Sequence, residues 1–266
     1  MLRFGLIGYG THARWAVRAA LENARHAELA AVADINPASL AELTVEGVDT
    51  YTDYREMIAQ EALDAIYVAT PADAHEGPTI ASLEAGLPVI CEKPMADTVA
   101  ACQRMVDAAE RAGVLLAVDF EGRFSPAVRQ VRKWIDAGYL GEVKAIHWQQ
   151  FWDGHKAFGP VAPRRARLTN LAGSLDCSIH QLDQARYFGG GGEWEEIHAL
   201  GMWFGEELDK PPHTSLIARL KGGPLVTSNS SFAYTAYIEP VARSNVMTIV
   251  GTQGVINHFE DEEGSA

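Results

Sequence analysis

The chain has 266 residues, 47% of them hydrophobic and 21% charged, with a formal net charge of -13. That length buries a substantial core in one large domain or two modest ones, and the composition is that of a folded chain. The acidic surplus argues against nucleic-acid and anionic-membrane partners, and no apolar stretch approaches the roughly 20 residues that span a bilayer.

The amino terminus, Met1-Leu2-Arg3-Phe4-Gly5-Leu6-Ile7-Gly8, enters a buried strand at once, without the regions of a secretory leader, which predicts a soluble cytoplasmic protein. Cys91, Cys102 and Cys177 form no Cys-x-x-Cys pair, so neither a disulfide framework nor a zinc ribbon is expected. Further strands are predicted at Leu29 to Ala33, Ala65 to Ala69, Pro88 to Cys91 and Val114 to Val118, continuously apolar as in a sheet covered on both faces. Helical spacing runs from Ala13 to Ala24, His75 to Ala85 and Thr98 to Ala112, with Gly86 and Gly113 at helix stops. This alternation predicts a doubly wound parallel sheet. After a helix starting near Pro126, the Gly138 and Gly141 turns lead into Val143 to Ile146. Ser215 to Leu220, Leu225 to Phe232 and Asn245 to Val250 then follow with few helices between, which favours a mainly antiparallel sheet in a second α+β domain. The expected domains are residues 1–120 and 121–266.

Gly8-Tyr9-Gly10-Thr11-His12-Ala13 follows the first strand and opens the first helix, the context required of a Gly-x-Gly-x-x-Gly/Ala dinucleotide fingerprint. Gly8 permits the tight turn, Gly10 the approach of a pyrophosphate, and Ala13 close packing of helix on strand, with the helix amino end facing the phosphates. Asp34 ends the second strand, where a carboxylate accepts hydrogen bonds from ribose hydroxyls. A 2'-phosphate about 4 Å away would be repelled by about 4 kcal/mol at an effective dielectric near 20, so NAD is expected over NADP. A glycine turn without ligand and a solvated aspartate before a proline-started helix are the alternative readings.

Thr70-Pro71-Ala72-Asp73-Ala74-His75 follows the Ala65 to Ala69 strand and Glu92-Lys93-Pro94 the Pro88 to Cys91 strand, both at the carboxyl edge where open α/β sheets bind ligands. With Arg123-Phe124-Ser125-Pro126, Gly138-Tyr139-Leu140-Gly141 and Asp176-Cys177-Ser178-Ile179-His180, they form a series that resembles the glucose-fructose oxidoreductase and inositol dehydrogenase (Gfo/Idh/MocA) family. The resemblance covers residues 1 to about 185. It implies an NAD(P)-dependent dehydrogenase or reductase acting on a secondary alcohol or ketone of a sugar, sugar acid or cyclitol. On that basis Gly8, Tyr9, Gly10, Thr11, His12, Asp34, Thr70, Pro71, His75, Glu92 and Lys93 are assigned to the cofactor. Lys93, Asp176 and His180 are assigned to catalysis, and Arg123, Trp152, Asp176 and His180 to substrate. Two departures stand out: Glu121 occupies a place where the family often has a neutral polar residue, and the second sheet is shorter than usual.

Asp176 and His180, four apart, share a helix face, which suits a metal half-site, a structural hydrogen bond or an acid–base pair. No accompanying His/Cys spacing favours a metal, and none is expected. With Lys93, the pair reads as His180 taking the proton of a substrate hydroxyl while Lys93 donates a hydrogen bond to the same oxygen. The stretch His147 to His155 suits stacking on a sugar ring, with packing in the core as the alternative for half of it, and Arg164, Arg165 and Arg167 suit a carboxylate, a solvated basic loop or a subunit contact. A homo-oligomer is expected. The competing readings are a dinucleotide-sensing regulator without turnover and a subunit whose site a partner chain completes.

Overall fold

The computed structural model describes residues 1–151, 178–203, 210–231 and 244–260. The chain divides into two units, Met1–Asp119 and Phe120–Ala266.

In the first unit, β1 (Leu2–Ile7) leads through a π-helical turn (Ala13–Val17) into α1 (Arg18–Glu22). There follow β2 (Ala27–Ala33), α2 (Pro37–Leu40), β3 (Asp49–Tyr51), α3 (Tyr54–Gln60), β4 (Ala65–Val68), a 3-10 turn (Ala72–Ala74), α4 (Glu76–Glu84), β5 (Val89–Glu92), α5 (Val99–Ala112) and β6 (Leu116–Asp119). The strands form a wholly parallel sheet in the order β3-β2-β1-β4-β5-β6, so the winding reverses between β1 and β4. Period-two alternation sorts each strand between two cores. Ile66, Val68 and Cys91 join Met57, Leu83 and Met105 on one face. Leu6, Val32 and Tyr67 join Tyr9 and Val17 on the other. Both faces are covered, as the continuous apolar runs required.

Helix ends follow the expected chemistry. The Thr98 hydroxyl accepts the Ala101 N–H at 3.3 Å to start α5, and Gly113 closes it in the left-handed region at φ +67°. The first helix departs from a plain α-helix: its opening turn is wound wider, with the Arg18 N–H reaching the Ala13 carbonyl. Such turns recur near functional sites.

In the second unit, a 3-10 turn (Glu121–Phe124) precedes α6 (Pro126–Asp136), β7 (Val143–Phe151), α7 (Ile179–Phe188), β8 (Trp194–Met202), β9 (His213–Leu220), β10 (Leu225–Ser231), β11 (Ser244–Gly251) and β12 (Val255–Glu260). Among the described residues the sheet order is β12-β11-β7-β10-β9-β8. Its pairs are antiparallel except β7 with β10, which run parallel. Val128 and Val131 of α6 and Ala185 and Phe188 of α7 pack with Ile146, Trp148, Val226, Met247 and Ile249, which places both helices on one face. The parallel sheet followed by a mainly antiparallel one bears out the fold class expected from sequence.

Three features correct the finer expectations. The short β3 carries no apolar run, because it is an edge strand of which Asp49 and Thr50 are exposed. The edge strand β8 is exposed along nearly all its length, so burial imposes no alternation on it. Trp148, in the stretch expected to stack on a sugar, is a core residue at 6% exposure, while His147 Nδ1 shares a 2.8 Å hydrogen bond with the Thr227 hydroxyl. Among the described residues no helix is long and apolar enough to cross a membrane, and no group of three His, Cys, Asp or Glu side chains could hold a metal ion.

Candidate active site

The loop after β1 has two different glycines. At Gly8 the backbone lies at φ +92°, and an added Cβ would stand 2.7 Å from the Thr70 nitrogen and 2.8 Å from the Ala69 carbonyl. The turn is therefore pressed against the end of β4, and the Gly8 N–H donates to the Ala33 carbonyl at 2.8 Å, tying it to β2 as well. At Gly10 an added Cβ would meet nothing within 4 Å. The loop is thus held from behind and open in front, the form a backbone needs to receive a pyrophosphate.

Asp34 is oriented before any ligand arrives. One carboxylate oxygen accepts the Tyr9 N–H at 2.6 Å and the other accepts the Asn36 N–H at 2.8 Å. Asn36 itself caps α2, with its side chain accepting the Ala38 N–H at 3.1 Å. Tyr9 is fully buried, and its carbonyl accepts the Arg14 Nε–H at 3.0 Å. The Arg14 guanidinium pairs with Glu42. Tyr9 therefore shapes the loop through its backbone and packs beneath it.

His75 also lies beneath the surface, at 1% exposure. Its Nε2 stands 2.7 Å from the Thr70 carbonyl, and its Nδ1 stands 3.1 Å from the Pro94 carbonyl and 3.2 Å from that of Met95. Burial lowers its pKa, outweighing those carbonyl contacts, so the ring is neutral at physiological pH. The ring sits between the Thr70-Pro71 turn and the segment after Lys93, and its single N–H donates to one side. The Thr70 hydroxyl closes its own turn on the Ala74 carbonyl at 3.1 Å.

Lys93 is half-buried directly beyond β5, and its N–H donates to Glu92 Oε2 at 3.2 Å. Glu92, at 7% exposure, accepts at Oε1 from the Tyr67 hydroxyl at 2.8 Å and contacts His12 Nε2 at the same distance. Burial alone would raise its pKa, but the His12 contact, the Tyr67 hydrogen bond and the Lys93 charge together hold it below the ordinary carboxylate value. The Tyr67 hydroxyl also contacts Asp119, which pairs with Glu92 in register between β5 and β6. Burial, reinforced by the two carboxylates, raises the Tyr67 pKa and keeps the phenol protonated.

In the second unit, His180 lies in the first turn of α7, half-buried, with its ring edge-on to Phe120 at 6.0 Å between centroids. Its Nε2 is 3.8 Å from Glu121 Oε1, so the departure noted in sequence sets a carboxylate beside the imidazole. Arg123 directs its fork at Asp183, with Nε at 2.7 Å from Oδ2 and an Nη closing on Oδ1, while its guanidinium also lies 5.2 Å over the Tyr187 ring. That geometry makes Arg123 a clamp on α7. Behind α7, Gln181 bonds Gln150 at 2.9 Å and accepts from the Ser228 hydroxyl. Trp152, Asp176 and the three arginines from 164 to 167 lie outside the described residues.

Residues 2–120 match the family model described as "Oxidoreductase family, NAD-binding Rossmann fold", and residues 128–257 match the "GFO/IDH/MocA C-terminal domain". The chain belongs to the Gfo/Idh/MocA oxidoreductase family. Its first unit is that family's NAD-binding Rossmann domain. The rhizopine catabolism protein MocA of Rhizobium meliloti is 36% identical over 189 residues, covering 71% of this chain and 57% of that protein. Inositol 2-dehydrogenase 4 of Saccharopolyspora erythraea is 28% identical over all of this chain and 78% of its own. The WlbA dehydrogenase of Bordetella pertussis, solved with NADH and UDP-GlcNAcA, superposes with a TM-score of 0.85 at 25% identity, covering 97% of this chain and 73% of that one. The chain thus spans between just over half and about four-fifths of the length of these Gfo/Idh/MocA relatives.

Motif reading overlooked Tyr67, Asp119 and Asp183. A signal for the first existed: alternation along β4 and β5, with Tyr67 opposite Ile90 and Glu92 two residues on, puts the phenol and the carboxylate on one face.

Proposed function

We propose that this chain is an NAD-dependent dehydrogenase or reductase acting on a secondary alcohol or ketone of a sugar, sugar acid or cyclitol. The observation that carries the reading is the loop after β1, closed behind Gly8, open before Gly10 and flanked by the fixed Asp34 carboxylate. Gly10 and the helix it opens would hold the pyrophosphate, and Asp34 the ribose hydroxyls, which favours NAD over a 2'-phosphorylated dinucleotide. The dehydrogenase names of relatives support the substrate class, among them inositol 2-dehydrogenase and levoglucosan dehydrogenase.

When bound, the nicotinamide ring supplies the hydride acceptor for oxidation and the hydride donor for reduction. The chain's own residues manage the oxygen and its proton. The Lys93 ammonium donates a hydrogen bond to the reacting oxygen and stabilises developing alkoxide character. His180 takes the hydroxyl proton in oxidation and returns it in reduction, a role worth about 10² to 10⁴ in rate. Glu121 Oε1 stands 3.8 Å from the Nε2 of that imidazole. Asp176 holds a neighbouring hydroxyl or orients Lys93. Exposed apolar side chains on the second sheet, Leu200 at 73% and Phe259 at 62%, favour a homo-oligomer.

The roles are tested by Lys93→Ala and His180→Ala. Each is expected to fold and bind NADH while losing about 10²-fold or more in kcat. Near-normal turnover in both variants would overturn the assignment.

A further inference from the structure

Four titratable side chains form a continuous chain across the carboxyl edge of the first sheet. His12, with 45% of its side chain exposed, contacts Glu92 at 2.8 Å. Glu92 accepts from Tyr67 at 2.8 Å, and Tyr67 contacts Asp119. One end lies in the dinucleotide loop and the other at the last residue of β6, with Lys93 beside the middle. A phenol has one hydrogen, and here it has two carboxyl neighbours, so its donation to one is withdrawn from the other. The protonation of Glu92, Asp119 and, through Glu92, His12 is therefore coupled.

The groups facing this chain can be named element by element. From the loop and first helix come His12 and the Trp15 ring, edge-on at 5.3 Å. From β4 comes Tyr67, from β5 and its end Glu92 and Lys93, and from β6 Asp119, while Cys91 lies on the opposite face of the sheet. His75 adds its influence from beneath the Thr70 turn. His12 is the member placed where a dinucleotide pyrophosphate would add negative charge, two residues from Gly10. Such an anion favours the imidazolium, and Glu92 already stands on its other side to receive that proton's hydrogen bond.

We propose that Tyr67 and Asp119 are positioning residues of the cofactor site, and that the Asp119–Tyr67–Glu92–His12 chain makes dinucleotide binding proton-linked, with His12 taking up a proton from solvent as the pyrophosphate arrives. Linkage is reciprocal, so the dinucleotide binds more tightly as pH falls through the titration of His12. NADH affinity is expected to weaken about tenfold between pH 6.5 and 8.5, for an average of about half a proton taken up across that window. Glu92 fixes the imidazole on one side, and Tyr67 competes with it for the same Oε1. Loss of the phenol therefore strengthens the His12 contact and moves the uptake to higher pH.

The inference rests on dinucleotide binding by the Gly8–Gly10 loop, and calorimetry separates the two claims without a substrate. NADH is titrated into the intact protein at several pH values, in phosphate and in Tris, whose ionisation heats differ. Wild-type protein is expected to show a binding heat that depends on the buffer, reporting uptake of a substantial fraction of a proton within this pH series. His12→Gln is expected to bind more weakly with a buffer-independent heat. Tyr67→Phe, a conservative change in the core, is expected to bind with its uptake curve moved upward by half a pH unit or more. Buffer-independent binding by the wild type, or undiminished uptake in His12→Gln, overturns the inference while leaving dinucleotide binding intact. A Tyr67→Phe curve that overlays the wild type removes Tyr67 and Asp119 from it. No binding of NADH in any buffer overturns the dinucleotide reading and this inference together.

Discussion

Replacing Gly8 or Gly10 by alanine adds the same methyl group two residues apart, into opposite surroundings. At Gly8 the methyl would meet backbone atoms of Ala69 and Thr70 at 2.7 to 2.8 Å, closer than any relaxed contact, on a residue at φ +92°. The left-handed backbone costs an alanine about 1–2 kcal/mol and the forced contact about 1–3 kcal/mol more, because the obstacle is main chain that cannot rotate aside. For a chain of this size that lowers Tm by about 5–15 °C. At Gly10 the methyl meets nothing within 4 Å, so Tm should move by no more than about 2 °C. The space it fills is that assigned to the pyrophosphate, and NADH affinity should fall by at least about tenfold, equivalent to about 1.4 kcal/mol. Scanning calorimetry and NADH fluorescence titration read the two effects separately. A Gly10→Ala protein that binds NADH as tightly as wild type refutes the placement of the dinucleotide on this loop.

Other outcomes follow from the same geometry. Arg123→Ala leaves the Asp183 carboxylate, 6% exposed, without its forked partner, and should cost about 2–3 kcal/mol, less than a fully buried pair because Arg123 is 38% exposed. Urea unfolding reads the loss, and a smaller loss in an Asp183→Asn background would identify the stranded charge as its cause. Glu92 has its folded pKa lowered from the ordinary 4.5, so its ionised form stabilises the fold at neutral pH, and that contribution is lost as pH falls below about 4.5 toward the folded value. Urea unfolding from pH 7 to 3.5 should accordingly fall less steeply at the acid end in Glu92→Gln, and parallel curves would contradict this.

The sequence made the first unit legible because its constraints are local and periodic. A sheet covered on both faces needs continuous apolar strands, and the glycine loop and Asp34 sit at fixed distances along the chain. The edge strands β3 and β8 escaped because exposed edges are under no such demand. At the site, motif position identified His75 and Arg123 but not their partners. His75 turns inward to the Thr70 and Pro94 carbonyls, and Arg123 meets Asp183 sixty residues away. Pairings of that separation are decided by packing in three dimensions. Tyr67 lay between these cases, since alternation and parallel register placed it beside Glu92, but only a known strand pairing turns that into a contact.

The central claim is tested most directly by following absorbance of the reduced nicotinamide with NAD and, separately, NADP, against inositols, neutral sugars and uronic acids. The account predicts reduction of NAD by at least one cyclitol or sugar, with NADP clearly poorer because of Asp34. Protein that binds NADH yet reduces neither dinucleotide with any member of the panel would contradict a dehydrogenase of this substrate class, and a preference for NADP would contradict the role of Asp34.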